Sequence, residues 1–324
     1  MTGWVVGPTA FAVTLALTPL AILVARRTGI MDRPGELKDQ DRSVPYLGGV
    51  AVFAGLAVGV TGTRPSVLVP LALALVLGVA DDRVSLPPVA RLVGELVVGG
   101  AVVATCPVHV AGWLAVVLLV PATVLLVNGV NLMDGLDMLA GGTVAVAAVG
   151  FAVILAGPLT TAGRLTAVAL AAALVGFLVY NRPPARIYLG DGGSYLLGTA
   201  LVVLVADSWA PSVATPVGVV SLVLVALPAA EVAFAVVRRL RGRRSVLAGD
   251  RGHPYDRLVA HGWTRTSAAA AYIVAQGVLA VGAVLAYRQG SLAAAVAVDV
   301  AGGAALVVAA ALSGALTPDK ETAP

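Results

Sequence analysis

From Gly3 to Ala25 the chain carries no charged side chain, and apolar stretches of this kind recur almost to its end. About 20 apolar residues let an α-helix cross the hydrocarbon core of a bilayer. Lipid offers the backbone no hydrogen-bond partners, so a crossing segment must pair its own amides and carbonyls, as a helix does. Composition points the same way. Of 324 residues 59% are hydrophobic and 12% charged, and the mean hydropathy is +0.96. A soluble domain uses about 25% charged residues to cover its surface. The expected fold is therefore all-α, a multi-pass integral membrane bundle of ten or eleven transmembrane helices.

The apolar stretches fall near 3–25, 47–61, 66–80, 90–106, 110–128, 139–157, 165–181, 193–208, 214–237, 267–287 and 291–312. They read as one transmembrane unit over 1–312, with loops at 26–46, 81–90, 128–138, 181–193 and 238–266 and a polar tail at 313–324. The first stretch lacks a basic leader and ends in Arg26 and Arg27, so it reads as a retained span. The net charge is only +4, and no polar body carries a basic patch, which argues against a nucleic-acid partner. The single cysteine, Cys106, excludes a disulfide within the chain and a cysteine-based zinc site.

Charge divides the loops into two sets. One holds Arg26, Arg27, Arg33, Lys38, Arg42, Arg83, Arg91, Arg182, Arg186, the arginines between Arg238 and Arg265, and Lys320; the other holds Arg64, Arg164 and Arg288. Cytoplasmic loops keep the Lys and Arg excess. The first set should face the cytoplasm across the plasma membrane, with the N-terminus outside and the C-terminus inside. The same loops collect Asp81, Asp82, Asp134, Asp137, Asp191, Asp250 and Asp256. A one-sided set of carboxylates points to a site on that face.

Five blocks carry the chemistry. Asp81 and Asp82 are adjacent acids that repel unless a cation lies nearby, and Mg²⁺ accepts one or two carboxylates together with phosphate oxygens; a solvated helix end explains the pair as well. Asn128, Asn131, Asp134 and Asp137 recur every three positions and would share one helix face, which is costly in a membrane unless they face a cavity or one another. Asp191 sits among Gly190, Gly192 and Gly193. That segment could bring backbone close to a ligand and hold an anion at a helix start, or be a plain tight turn. The last loop packs His253, Tyr255, Asp256, Arg257 and His261 behind the arginines Arg238 to Arg244. The arginines read as a lipid-touching anchor, and the mixed group could grip a diphosphate and an aromatic base. In the first loop Lys38 could hold a phosphate as a point charge or stand as a solvated lysine.

Together, in this order, the blocks resemble the polyprenyl-phosphate N-acetylhexosamine-1-phosphate transferases, the family that includes phospho-MurNAc-pentapeptide translocase and polyprenyl-phosphate GlcNAc-1-phosphate transferase (glycosyltransferase family 4). Asn128-Gly-Val-Asn131-Leu-Met-Asp134-Gly-Leu-Asp137 is the most specific match. The resemblance implies transfer of a sugar phosphate from a UDP-N-acetylhexosamine to a polyprenyl phosphate lipid, with release of UMP, at a cytoplasmic site using Mg²⁺ or Mn²⁺. It implies catalytic roles for Asp81, Asp82, Asp134 and Asp137, metal binding by Asp191 and Asp81, and substrate binding by Lys38, Asn128, Asn131, His253, Asp256 and Arg257. It also leaves room for a homodimer. Whether Asp81 or Asp82 takes a proton stays open.

The chain departs from the family in two loops and one span. Members often carry His-Xaa-His-His-Arg in the last loop, where this chain has His253-Pro-Tyr255-Asp256-Arg257, and Arg-Lys-Xaa-His in the first, where it has Leu37-Lys38-Asp39-Gln40. Glu231 stands where Asp is common. Two rivals follow: a catalytically altered homologue that only binds the lipid, and a transporter. A transporter would place polar groups near the bilayer midplane, and Glu95 and Asp299 are the few candidates.

Overall fold

The computed structural model describes residues 3–32, 43–106, 108, 110–157, 160–246 and 252–317. Among these, helices dominate: α1 (Gly3–Thr28), α2 (Gly48–Thr61), α3 (Leu68–Val84), α4 (Pro88–Thr105), α5 (Gly112–Met133), α6 (Leu139–Ile154), α7 (Thr161–Asn181), α8 (Gly190–Ser208), α9 (Thr215–Leu224), α10 (Ala226–Arg241), α11 (Pro254–Ala260), α12 (Arg265–Gln289) and α13 (Leu292–Leu312). One short antiparallel pair, β1 (Met31–Asp32) with β2 (Val44–Pro45), closes the first loop, Met31 opposite Pro45 and Asp32 opposite Val44. Every expected span coincides with a helix or helix pair. Six helices (α1, α4, α5, α7, α12 and α13) are long and apolar enough to cross a membrane, and the bent pair α9–α10 makes a seventh.

The helix α8 is the centre of the molecule. All of its residues except Asp191 are buried. A helix that is apolar all round belongs in such a place, and its glycines let neighbours close in. A methyl group added at Gly198 would overlap the backbone of α5 at Val127; at Gly78 of α3 it would overlap the backbone of Asp191, and at Gly49 of α2 that of Gly193. Three helices thus meet α8 backbone to backbone. Small residues permit this close approach in lipid, where packing rather than the hydrophobic effect holds helices together.

Three expectations need correction. The Asp81–Asp82 pair lies in the last turn of α3, not in a loop, and the connection to α4 is only residues 85–87. Asn128 and Asn131 continue α5, which ends at Met133, so only Asp134 and Asp137 lie in the turn that follows. The ninth span is not one straight helix: α9 and α10 meet at an angle of 57°. Pro228 has no N–H to give to the carbonyl four residues earlier. That orphan, the Leu224 oxygen, accepts instead from Gln276 Nε2 of α12 at 3.0 Å.

At the end of α8 remote from Asp191, Arg64 forks onto Asp207 with bonds of 2.6 and 3.0 Å. The two residues are 143 apart in sequence, and Asp207 is buried. Removing one partner of a buried pair strands the other charge, at about 3–5 kcal/mol. Arg64→Ala is therefore expected to lower the melting temperature sharply, and Arg64→Ala with Asp207→Asn to recover most of it. Thermal melts in detergent check this; a full effect in the double variant would mean that packing, not charge, is lost.

Candidate active site

The site assembles where the last turn of α3, the C-terminus of α5 and the N-terminus of α8 converge. A helix start exposes unpaired N–H groups. Here Asp82 covers them: its Oδ1 accepts from the Asp191 amide at 2.9 Å and its Oδ2 from the Gly192 amide at 3.1 Å. The helix start expected to hold an anion thus holds a carboxylate of the chain itself. The glycines serve the fold in the same way. Gly190, at φ +70°, abuts the Tyr46 carbonyl and Asp82, while Gly192 and Gly193 admit α3 and α2 rather than a ligand. Asp191 is left as the one residue of α8 that is not buried.

Asn131 aims it. The Asn131 amide donates to Asp191 Oδ1 at 2.6 Å and to Ser194 Oγ at 3.1 Å. Asp134, capping α5, lies half-buried and feels the charges of Asp191, Asp82 and Asp137. These side chains, three from one expected helix face and two from separate blocks, come together as the sequence pattern implied. Asp137 is partly committed to the fold, accepting from the Ala185 amide at 2.9 Å.

Other expected residues stand differently. Asp81 is buried, with Oδ1 accepting from the Leu86 amide at 2.8 Å and Oδ2 facing Tyr195 Oη at 2.8 Å and Arg91 Nε at 2.8 Å. Both of its oxygens are engaged by donors, as are both of Asp82. Asp81 lies against Asp191, whose carboxyl is pushed up by burial, then by the charge of Asp81 and a side-chain hydrogen bond with it. Asn128 donates to Glu95 Oε2 at 2.8 Å, which gives the buried Glu95 of α4 a structural partner. His253 is buried with Nδ1 2.9 Å from Glu231 Oε2. Asp256 is half-buried in the first turn of α11. Lys38 lies outside the described residues.

Of the last loop's arginines, Arg238 turns inward: it is buried, not spread on lipid, and donates to the Ala315 carbonyl at 2.8 Å. Arg241 donates to Leu316 at 3.0 Å and Arg257 to Thr317 at 3.1 Å. Three successive carbonyls after α13 are thereby tied to the loop. Sequence reasoning passed over Tyr195, Ser194 and Arg91. Only the one-turn spacing of Tyr195 and Ser194 from Asp191 hinted at them.

Comparison with known proteins gives this geometry a family. Residues 65–208 match the model described as Glycosyl transferase family 4. A probable undecaprenyl-phosphate N-acetylglucosaminyl 1-phosphate transferase of Bacillus subtilis (strain 168) is 31% identical over 281 residues, 80% of this chain and 78% of that protein. The chain belongs to glycosyl transferase family 4. The decaprenyl-phosphate N-acetylglucosaminephosphotransferase of Mycolicibacterium smegmatis is 28% identical over 329 residues, covering 86% of this chain and 80% of its own. A Thermotoga maritima undecaprenyl-phosphate alpha-N-acetylglucosaminyl 1-phosphate transferase is 30% identical over 250 residues, 75% and 77% of the two chains. The family 4 match contains Asp82, Asn131, Asp134, Asp137 and Asp191 and stops before the loop of His253 to Arg257.

A divalent cation suits this donor set. Among the described residues no three acids or histidines form a ready metal cage. Mg²⁺ is seldom caged by protein alone; it keeps waters and takes one or two carboxylates plus substrate phosphates. Asp191 with Asp81 or Asp134, each near enough for its charge and that of Asp191 to act on one another, could supply such carboxylates. Burial, and then the charges of Asp191, Asp82 and Asp137, push the Asp134 carboxyl well above its usual range. An acid whose folded pKa is raised costs stability once ionised; the cost is absent at low pH and grows as pH rises through the raised value. The metal-free protein is therefore expected to melt higher on the acid side of that value than on the alkaline side. Mg²⁺ should add most on the alkaline side. Melting curves across pH, with and without Mg²⁺, check both; a flat profile would separate Asp134 from its neighbours' charge.

Proposed function

We propose that this chain transfers N-acetylglucosamine-1-phosphate from a UDP-sugar to a polyprenyl phosphate, giving the polyprenyl-diphosphate sugar and UMP. The observation that carries the reading is the convergence of Asp82, Asn131, Asp134 and Asp191 at one end of the bundle. The relatives' names support it, each of those quoted being a polyprenyl-phosphate N-acetylglucosamine-phosphate transferase. An oxygen of the lipid phosphate attacks the sugar-bearing phosphorus, the phosphoanhydride bond breaks, and UMP leaves with its electron pair. The lipid phosphate is already an anion near neutral pH, so no strong base is needed. Such transfers depend on positioning and on neutralising charge.

The chain's residues divide that work. Asp82 pins the start of α8 and so places Asp191. Asn131 orients the Asp191 carboxylate, and Asp134 faces it from α5. Mg²⁺ held by Asp191 with Asp81 or Asp134 would neutralise phosphate charge. Lys38 and Arg257 are assigned to substrate phosphates on the family resemblance. The deciding experiment incubates purified protein with radiolabelled UDP-GlcNAc and undecaprenyl phosphate in detergent. UMP released only when both substrates are present supports the reading; lipid binding without UMP would leave a non-catalytic homologue, and substrate uptake into vesicles without UMP a transporter.

The same proposal places the carboxylate end in the cytoplasm, because that end carries the arginine-rich loops. A cysteine at Ser245 should resist membrane-impermeant labelling of intact cells, and one at Ser291 should react. Strong labelling at position 245 would invert the topology.

A further inference from the structure

Tyr255 belongs to the last loop, yet it is only 5% exposed. Its hydroxyl donates to the Leu132 carbonyl at 2.8 Å. That oxygen is one of the four carbonyls at the end of α5 that the helix itself leaves unpaired. Gly135 faces the same ring, and a methyl group there would run into the Tyr255 hydroxyl and ring edge. Tyr255 therefore grips the chain on both sides of Asp134.

The ring is itself braced. It stacks on His253 with centroids 5.4 Å apart and planes 6° from parallel, and it meets Tyr272 of α12 edge-on at 6.1 Å and 74°. His253 reaches Glu231 of α10 at 2.9 Å, and the Tyr272 hydroxyl donates to the other oxygen of Glu231. All four side chains are buried. A buried network with its polar atoms paired holds one arrangement against alternatives. This one ties α10, α11 and α12 to the turn that presents Asp134.

We propose that Tyr255 is a positioning residue, holding the 132–135 turn so that Asp134 faces Asp82 and Asp191. The inference rests on the transferase reading and assigns this loop a part in that site beyond contact with the donor. It follows from the position of the hydroxyl on the Leu132 carbonyl and of the ring against Gly135.

Tyr255→Phe keeps the stack and removes one bond. It should lower kcat about tenfold while leaving the donor KM within about twofold, because misplacing a catalytic group acts on the reaction step rather than on uniform binding. Amide hydrogen exchange across residues 130–138 should quicken. Unaltered kcat and exchange would overturn the proposal, as would a raised KM at constant kcat, which would make Tyr255 a donor contact. Exchange is read without substrate. It therefore decides the positioning role even if the wild-type protein transfers nothing, in which case only the transferase reading falls.

Discussion

Asp191→Asn is expected to lower turnover about 10²–10³-fold, the scale seen when one electrostatic group at a reacting centre is removed. Asparagine keeps an oxygen to accept from Asn131, so the shape of the site persists and the charge is lost. The residue is also the one position of α8 that is not buried, so the exchange should leave packing and melting temperature alone. On the proposed function the missing ligand is on the protein, so extra Mg²⁺ should restore little. The rate of UMP release at several Mg²⁺ concentrations tests this. Near-normal turnover would put the cation elsewhere.

Gly78→Ala should be nearly as damaging, by a different route. Gly78 lies one turn before Asp82 on α3, and a methyl group there overlaps the backbone of Asp191 and Gly192. Backbone cannot rotate aside, so α3 and α8 must separate. Overpacking of this kind costs about 1–3 kcal/mol. The larger effect is on geometry, because Asp82 and Asp191 ride on the two helices being parted. A shift near 1 Å can cost about 100-fold in rate. Gly100→Ala is the control. Nothing lies within 4 Å of a methyl at Gly100, so activity should hold and stability rise slightly. Equal rates for the two variants would show that the α3–α8 contact yields without moving the acids.

Much of the site was legible before any coordinates. The three-residue spacing of Asn128, Asn131 and Asp134 announced one face, of which Asn131 meets Asp191 while Asn128 turns to Glu95. What misled was the role of individual groups. The Asp81–Asp82 pair looks symmetrical as text. In space Asp81 is taken by Tyr195, Arg91 and the Leu86 amide, while Asp82 caps α8. Glycines beside Asp191 suggested room for a ligand and instead admit two helices. His253 and Tyr255 suggested a ligand-facing loop and instead form a buried brace.

The division has a physical cause. Whether a segment lies in lipid depends on its own side chains, because each residue's transfer from water is nearly independent of distant ones. The sequence alone therefore determined the apolar segments and the helical class. Which donor reaches which carboxylate depends on how helices distant in sequence pack, and that depends on where glycine lets backbones touch. Arg64 finds Asp207 across 143 residues, and Leu224 finds Gln276 only because Pro228 freed its oxygen. Those pairings, and with them the separate duties of Asp81, Asp82 and Tyr255, were decided by the tertiary structure.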